Sequence, residues 1–169
     1  MTAVTTPTKI RRLDATDAAA YREIRLEALQ SRPDAFGASF DGERDRPLEA
    51  FADPLARTAV FAAGDGGALL GMAGFVRLEG KENHKGLLWG MYVRETARGS
   101  GAADALVATV IGHAREQVEV LLLAVGIHNE AAQRLYRRHG FVEYGREPRA
   151  LKVGDAYYDE IMMRLELRG

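Results

Sequence analysis

The sequence predicts a single mixed α/β domain, and three observations carry that prediction. Asp65-Gly66-Gly67 and Val153-Gly154-Asp155 have hairpin-turn chemistry. The run "EVLLLAV", Glu119 to Val125, is continuously apolar, as a strand buried on both faces should be. Between it and a strand at Leu87–Val93 lies a helical stripe of Ala102, Leu106, Val110 and His113. Strand, helix and strand so joined make a crossover with two parallel strands. The hairpins on either side make the remaining strands antiparallel.

The elements follow in order. Thr8–Leu13 reads as a first strand, and Asp14 or Thr16 caps the next helix. That helix has one apolar face, Tyr21, Ile24, Ala28 and Leu29, and Pro33 stops it. Ser31–Pro54 is expected to be irregular, with a short helix near Leu48–Phe51. Thr58–Ala63 and Leu69–Leu78 form a hairpin, and Gly80–Gly86 is a polar loop. Gly90 interrupts the fourth strand, which signals a bulge or a packing glycine. Ser100 or Gly101 opens the long helix. Asn129 caps another, whose Ala132, Leu135, Tyr136 and His139 share a face, and Gly140 ends it. Phe141–Glu147 and Ala156–Leu167 are the last strands. The order is β-α-(α)-β-β-β-α-β-α-β-β, one domain over residues 1–169 with 1–7 flexible.

Composition narrows the function. A chain of 169 residues is long enough for a real core. Its net charge of −1 recruits neither nucleic acid nor an anionic membrane. The absence of cysteine excludes disulfides, thiolate zinc sites and a cysteine nucleophile. His84, His113, His128 and His139 lack metal-motif spacing and read as surface or cap residues, so no metal is expected. No apolar run can cross a bilayer, and a cytoplasmic protein is the expectation.

The chemistry centres on the turn Arg98-Gly99-Ser100-Gly101-Ala102-Ala103, where a strand becomes a helix. A helix start leaves backbone N–H groups unpaired at its positive end. Glycines let an anion reach them, and an arginine at the mouth adds a charge-assisted bond. The alternatives are a diphosphate site or a bare β-to-α turn. A Walker A loop fails, because Gly101 is followed by two alanines rather than Lys-Ser/Thr. A Rossmann fingerprint fails because Asp104 stands where its third glycine belongs.

What remains resembles the acyl-CoA loop of the GCN5-related N-acetyltransferase (GNAT) superfamily, Arg/Gln-x-x-Gly-x-Gly/Ala. "NEAAQRLYRRHGF", Asn129 to Phe141, is similar to that superfamily's N-x-x-A-x-x-L-Y-x-x-x-G-F signature at every named position. The resemblance implies a GNAT fold with a splayed parallel pair, the fourth and fifth strands. It implies acetyl-CoA as cosubstrate, with the diphosphate on Arg98, Gly99, Ser100, Gly101, Ala102 and Ala103. The pantetheine arm would run along the fourth strand at Met91, Tyr92 and Val93, and Asn129 would contact it. Tyr136 would be the general acid, or would hydrogen-bond the sulfur. Its competing reading is a core tyrosine.

The general base is less defined. Superfamily members often use a glutamate on or near the fourth strand, but "LLWGMYV" contains no carboxylate. Nearby choices are Glu79, Glu82, His84 and Glu27, with His84 and Glu82 preferred. Without cysteine, direct attack in a ternary complex is expected. The resemblance puts the acceptor between Arg25–Glu43 and the Val153–Tyr158 turn. Three functions stay open: acetylation of a small-molecule amine, acetylation of a protein lysine or N-terminus, and non-catalytic acyl-CoA sensing. A homodimer through the C-terminal strands is a further expectation.

Overall fold

The computed structural model describes residues 8–64 and 66–168. The expected flexible segment 1–7, and Asp65 of the first expected turn, lie outside the described residues.

A 3-10 turn at Ala15–Asp17 opens the helical part of the chain. Asp14 and Asp17 form a reciprocal capping box, with Thr16 N–H donating to Asp14 at 2.8 Å and Asp14 N–H to Asp17 at 2.9 Å. Helix α1 follows at Ala18–Ser31. Pro33 begins a second 3-10 turn, Pro33–Ala35, instead of prolonging it. The expected irregular stretch holds two helices, α2 at Phe40–Glu43 and α3 at Glu49–Arg57. Helix α3 runs through Pro54, further than the sequence pattern indicates. Burial of Phe51 and Leu55 on either side of the proline offsets the lost backbone bond.

Seven strands form one sheet in the order β1-β2-β3-β4-β5-β7-β6. They are β1 Ile10–Arg12, β2 Ala59–Ala63, β3 Gly71–Arg77, β4 Lys85–Val93, β5 Val120–Gly126, β6 Val142–Val153 and β7 Ala156–Glu166. Among the described residues only β4 and β5 pair in parallel. Helices α4, Ala102–Gln117, and α5, Glu130–Arg138, complete the expected order. Strand β6 extends beyond its expected end, carried past bulges at Glu143–Gly145 and Glu147–Leu151 by its pairing with β7. Asp159 accepts the Arg149 N–H at 2.7 Å and fixes the second bulge.

Two cores flank the sheet. Leu106 and Val110 of α4 pack on Leu121, Phe141 and Met163. Tyr21 and Ile24 of α1, with Phe51 of α3, pack on Val60 and Met72. Each fully buried aliphatic contributes about 1.5–3 kcal/mol by leaving water. Strand β5 departs from the expectation of burial on both faces: Leu121, Leu123 and Val125 are buried, but Ala124 is exposed. The open face is the one turned away from α4. Among the described residues, no helix is long and apolar enough to cross a membrane.

Candidate active site

The sheet forks between its parallel strands. Strands β4 and β5 pair only from Lys85–Leu87 to Val120–Leu122, and beyond Leu87 they separate. Gly90 sits where the fork opens. Ala73 of β3 faces both Gly90 and Met91, because Met72 pairs with Tyr92 and Gly74 with Trp89. Gly90 has φ +66°, and among the described residues nothing lies within 4 Å of where its Cβ would be. The glycine therefore serves the bulge rather than a close packing contact. The fork is lined by Leu88, Gly90 and Met91 on one side and by Leu123–Gly126 on the other.

The fork leads to the turn before α4. Gly99 and Gly101 have φ +77° and +88°, and among the described residues nothing lies within 4 Å of where their Cβ atoms would be. The first bond of α4 runs from Ala105 N–H to Gly101 O at 3.0 Å. The N–H groups of Ala103 and Asp104 therefore have no carbonyl within the helix. Ser100 Oγ accepts from Ala102 N–H at 3.3 Å and tightens the turn. Between turn and fork lies a recess lined by Met91, Tyr92, Val93, Asn129 and Ala132, with Arg98 and Arg32 also on its wall. Asp104 is turned to α5, where His139 (2.9 Å) and Arg138 (3.2 Å) hold it. Burial raises its pKa, but those two partners more than offset that, and it lies below the ordinary carboxylate value.

Helix α5 supplies the opposite wall. Asn129 caps it, accepting Ala132 N–H at 3.2 Å through Oδ1, while the residue also lines the fork. Tyr136 lines the fork too and is 5% exposed, with its ring edge-on to Phe141 at 5.8 Å. Burial pushes its phenol pKa well above the ordinary value, so the phenol stays neutral at physiological pH.

Glu82 and His84 do not join this group. They precede β4, at the end where it is paired, while the fork opens at its other end. Strand rise of about 3.3 Å per residue puts His84 roughly 20 Å from Gly90. His84 is exposed, and its carbonyl accepts Glu119 N–H at 2.8 Å, anchoring the start of β5. Glu82 is exposed and pairs with Lys85 at 2.7 Å. Glu27 is committed elsewhere, with Oε2 taking bonds from the Tyr92 hydroxyl at 3.1 Å and Arg94 Nε at 3.0 Å.

A larger cavity of about 580 Å³ opens between α1, the Pro33–Asp41 segment and the β6–β7 hairpin. Phe36 lines both this cavity and the fork. Beside them lies a pair that sequence reading missed: His128 Nε2 stands 2.5 Å from Asp34 Oδ2. These residues are 94 positions apart, and no local pattern joins them. Arg32 was missed for the same reason.

The acetyltransferase (GNAT) family model matches residues 21–141. The chain belongs to the GNAT acetyltransferase family. No protein of curated function matches it in sequence. Solved GNAT structures share its architecture. The GNAT acetyltransferase of Streptococcus pneumoniae aligns over 94% of this chain and 98% of its own, with 22% identity and a TM-score of 0.81. The yncA protein of Salmonella typhimurium, whose structure holds its cofactor acetyl-CoA, aligns over 97% and 96%, with 23% identity and a TM-score of 0.83. A ribosomal-protein-alanine N-acetyltransferase from Brucella melitensis aligns over 94% and 99%, with 25% identity and a TM-score of 0.79. The fork in this GNAT sheet thus occurs in a fold seen elsewhere with acetyl-CoA.

Proposed function

We propose that the protein transfers an acetyl group from acetyl-CoA to the primary amine of a small metabolite, in one ternary complex. The observation that carries this reading is the adjacency of three recesses: one lined by Arg98 shares Met91, Asn129 and Ala132 with the fork beside Tyr136, and the fork shares Phe36 with the larger cavity. The open glycine cradle and helix start fit a diphosphate. Arg98 and Arg32 would add charge-assisted bonds. The free side of Met91–Val93 would pair with the amides of an extended arm, as an added strand does. When bound, acetyl-CoA supplies the activated acyl group. A backbone N–H near Tyr92 or Val93 would polarise its carbonyl. Tyr136 would give its proton to the departing sulfur. Burial disfavours both phenolate and thiolate, so the raised phenol pKa does not by itself oppose the transfer.

The cavity favours a metabolite over a protein chain as acceptor. Its size lies in the range of small-ligand pockets. Among the described residues Asp41 is the only carboxylate lining it, with Lys152 as counterpart, which does not make an acidic groove for a basic peptide. The Brucella relative's name makes protein N-termini the second reading. A homodimer along the C-terminal strands has less support, because β6, the outer strand, is interrupted by two bulges and carries Pro148.

A panel of amino acids, alkylamines and short peptides, read by CoA release, tests the reading. Turnover of small amines above the peptide rate is expected. Peptide-only turnover would favour the second reading, and tight acetyl-CoA binding without turnover would indicate a sensor.

A further inference from the structure

We propose that His128, held by Asp34, takes the proton released by the acceptor amine. The proposal rests on the acetyl-transfer reading above. It starts from the open face of β5. Leu121, Leu123 and Val125 point into the core, so Ala124 and Gly126 face the other way and line the fork. Neither offers a side-chain base. The imidazole of His128 stands beside Gly126 on that face. A Cβ on Gly126 would lie 2.6 Å from its Cε1 and 3.0 Å from its Nδ1. The ring therefore stands directly over a residue of the fork wall, and only glycine leaves room for it.

Asp34 sets the ring's polarity. Its Oδ2 lies 2.5 Å from Nε2, so in the neutral ring the Nε2–H donates and Nδ1 keeps its lone pair on the Gly126 side. Burial raises the Asp34 pKa. The His128 bond, a backbone bond and Arg32, 3.7 Å away, overcome that and hold it below the ordinary carboxylate value. Tyr158 of β7 covers the ring at 5.0 Å. The groups around the imidazole are thus Asp34 and Arg32 from the turn after α1, Tyr158 and Glu160 from β7, and Glu147 beyond on β6. Glu160 pairs with Gly126 and is the rival base. Burial and Glu147 raise its pKa, but no hydrogen bond among the described residues orients it. His128 keeps 35% side-chain exposure, so it can return its proton to water.

The proton count closes. The amine nitrogen forms a bond to the acyl carbon, and its N–H proton goes to Nδ1 of His128. The carbon–sulfur bond breaks, its electron pair stays on sulfur, and the Tyr136 phenol protonates it. His128 then loses a proton to solvent and Tyr136 regains one.

The test uses the full chain and acetyl-CoA. Its activity readout is CoA release with the fastest amine of the panel or, where no amine exceeds water, release to water alone. His128→Gln should lower the rate about 100-fold and remove the acidic limb of the pH–rate profile. Its acetyl-CoA affinity by calorimetry should stay within about twofold of wild type. Gly126→Ala, which displaces the ring, should reproduce the rate loss, and Asp34→Asn should lower the rate by about tenfold. Glu160→Gln should keep both rate and limb. Nitrogen NMR of the protein alone should find the neutral His128 ring protonated at Nε2. Retention of rate and limb in His128→Gln, transfer of the limb's loss to Glu160→Gln, or a ring protonated at Nδ1 overturns the proposal. Failure of wild type to bind acetyl-CoA overturns the reading beneath it.

Discussion

The Trp89 indole lies flat against Gly74 across the β3–β4 ladder, where a Cβ on Gly74 would come within 2.4 Å of the ring. The ring covers the bare backbone of its cross-strand partner next to the Gly90 bulge. Gly74→Ala must therefore push the indole off the sheet and disturb the fork. A loss of about 1–3 kcal/mol is expected from this overpacking, read from urea unfolding. Trp89→Phe should cost less. Among the described residues Trp89 Nε1 is buried without a partner, so removing that donor offsets part of the lost burial.

The turn before α4 is separable into shape and charge. Gly101→Glu should abolish acetyl-CoA binding in calorimetry, because a carboxylate would face the diphosphate. Gly101→Asn is the control for backbone strain, since asparagine tolerates the left-handed conformation that Gly101 adopts. Asn should retain measurable affinity. Equal loss in both variants would mean that conformation, not charge, explains the effect.

Tyr136→Phe preserves the ring packed against Phe141 and removes only the hydroxyl. Turnover should fall about 100-fold or more, with acetyl-CoA affinity unchanged within about twofold. Unchanged turnover across the pH range would return Tyr136 to the role of a core residue.

Asp104 ties the start of α4 to the end of α5, and its pKa is depressed in the folded protein. The stability it contributes is therefore present above about pH 4, near the unfolded carboxylate pKa, and is lost as pH falls through the folded value. Asp104 is 48% exposed, so screening limits the effect to about 0.5–1 kcal/mol. Asp104→Asn should destabilise by that amount at pH 7 and by progressively less as the pH falls below about 4. A penalty equal at both pH values would assign the effect to packing.

Features written in neighbouring residues were legible in the sequence. The Asn129 cap, the left-handed Gly140 and the interrupted strand at Gly90 each depend on a few adjacent positions. The apolar periods of α4 and β5 gave the crossover and hence the parallel pair. Properties that arise where distant segments meet were not legible. His84 has a suitable side chain, but the ladder uses the start of β4 for pairing and leaves His84 at the closed end. His128 looked like a cap residue until the turn after α1 brought Asp34 to it. Helix α3 passed its proline because of a partner surface that its own sequence does not describe.

The fork has a mechanical meaning. Strands β1–β4 and β5–β7 are two half-sheets, joined edge to edge by a three-residue ladder at one end and bridged by α4. On the proposed reading, the cosubstrate's arm lies in the gap and supplies the missing rungs. The cosubstrate is then a temporary structural member as well as a reagent. Holding it tightly and holding the two halves in alignment become one act, and each turnover ends with the protein giving up part of its own sheet.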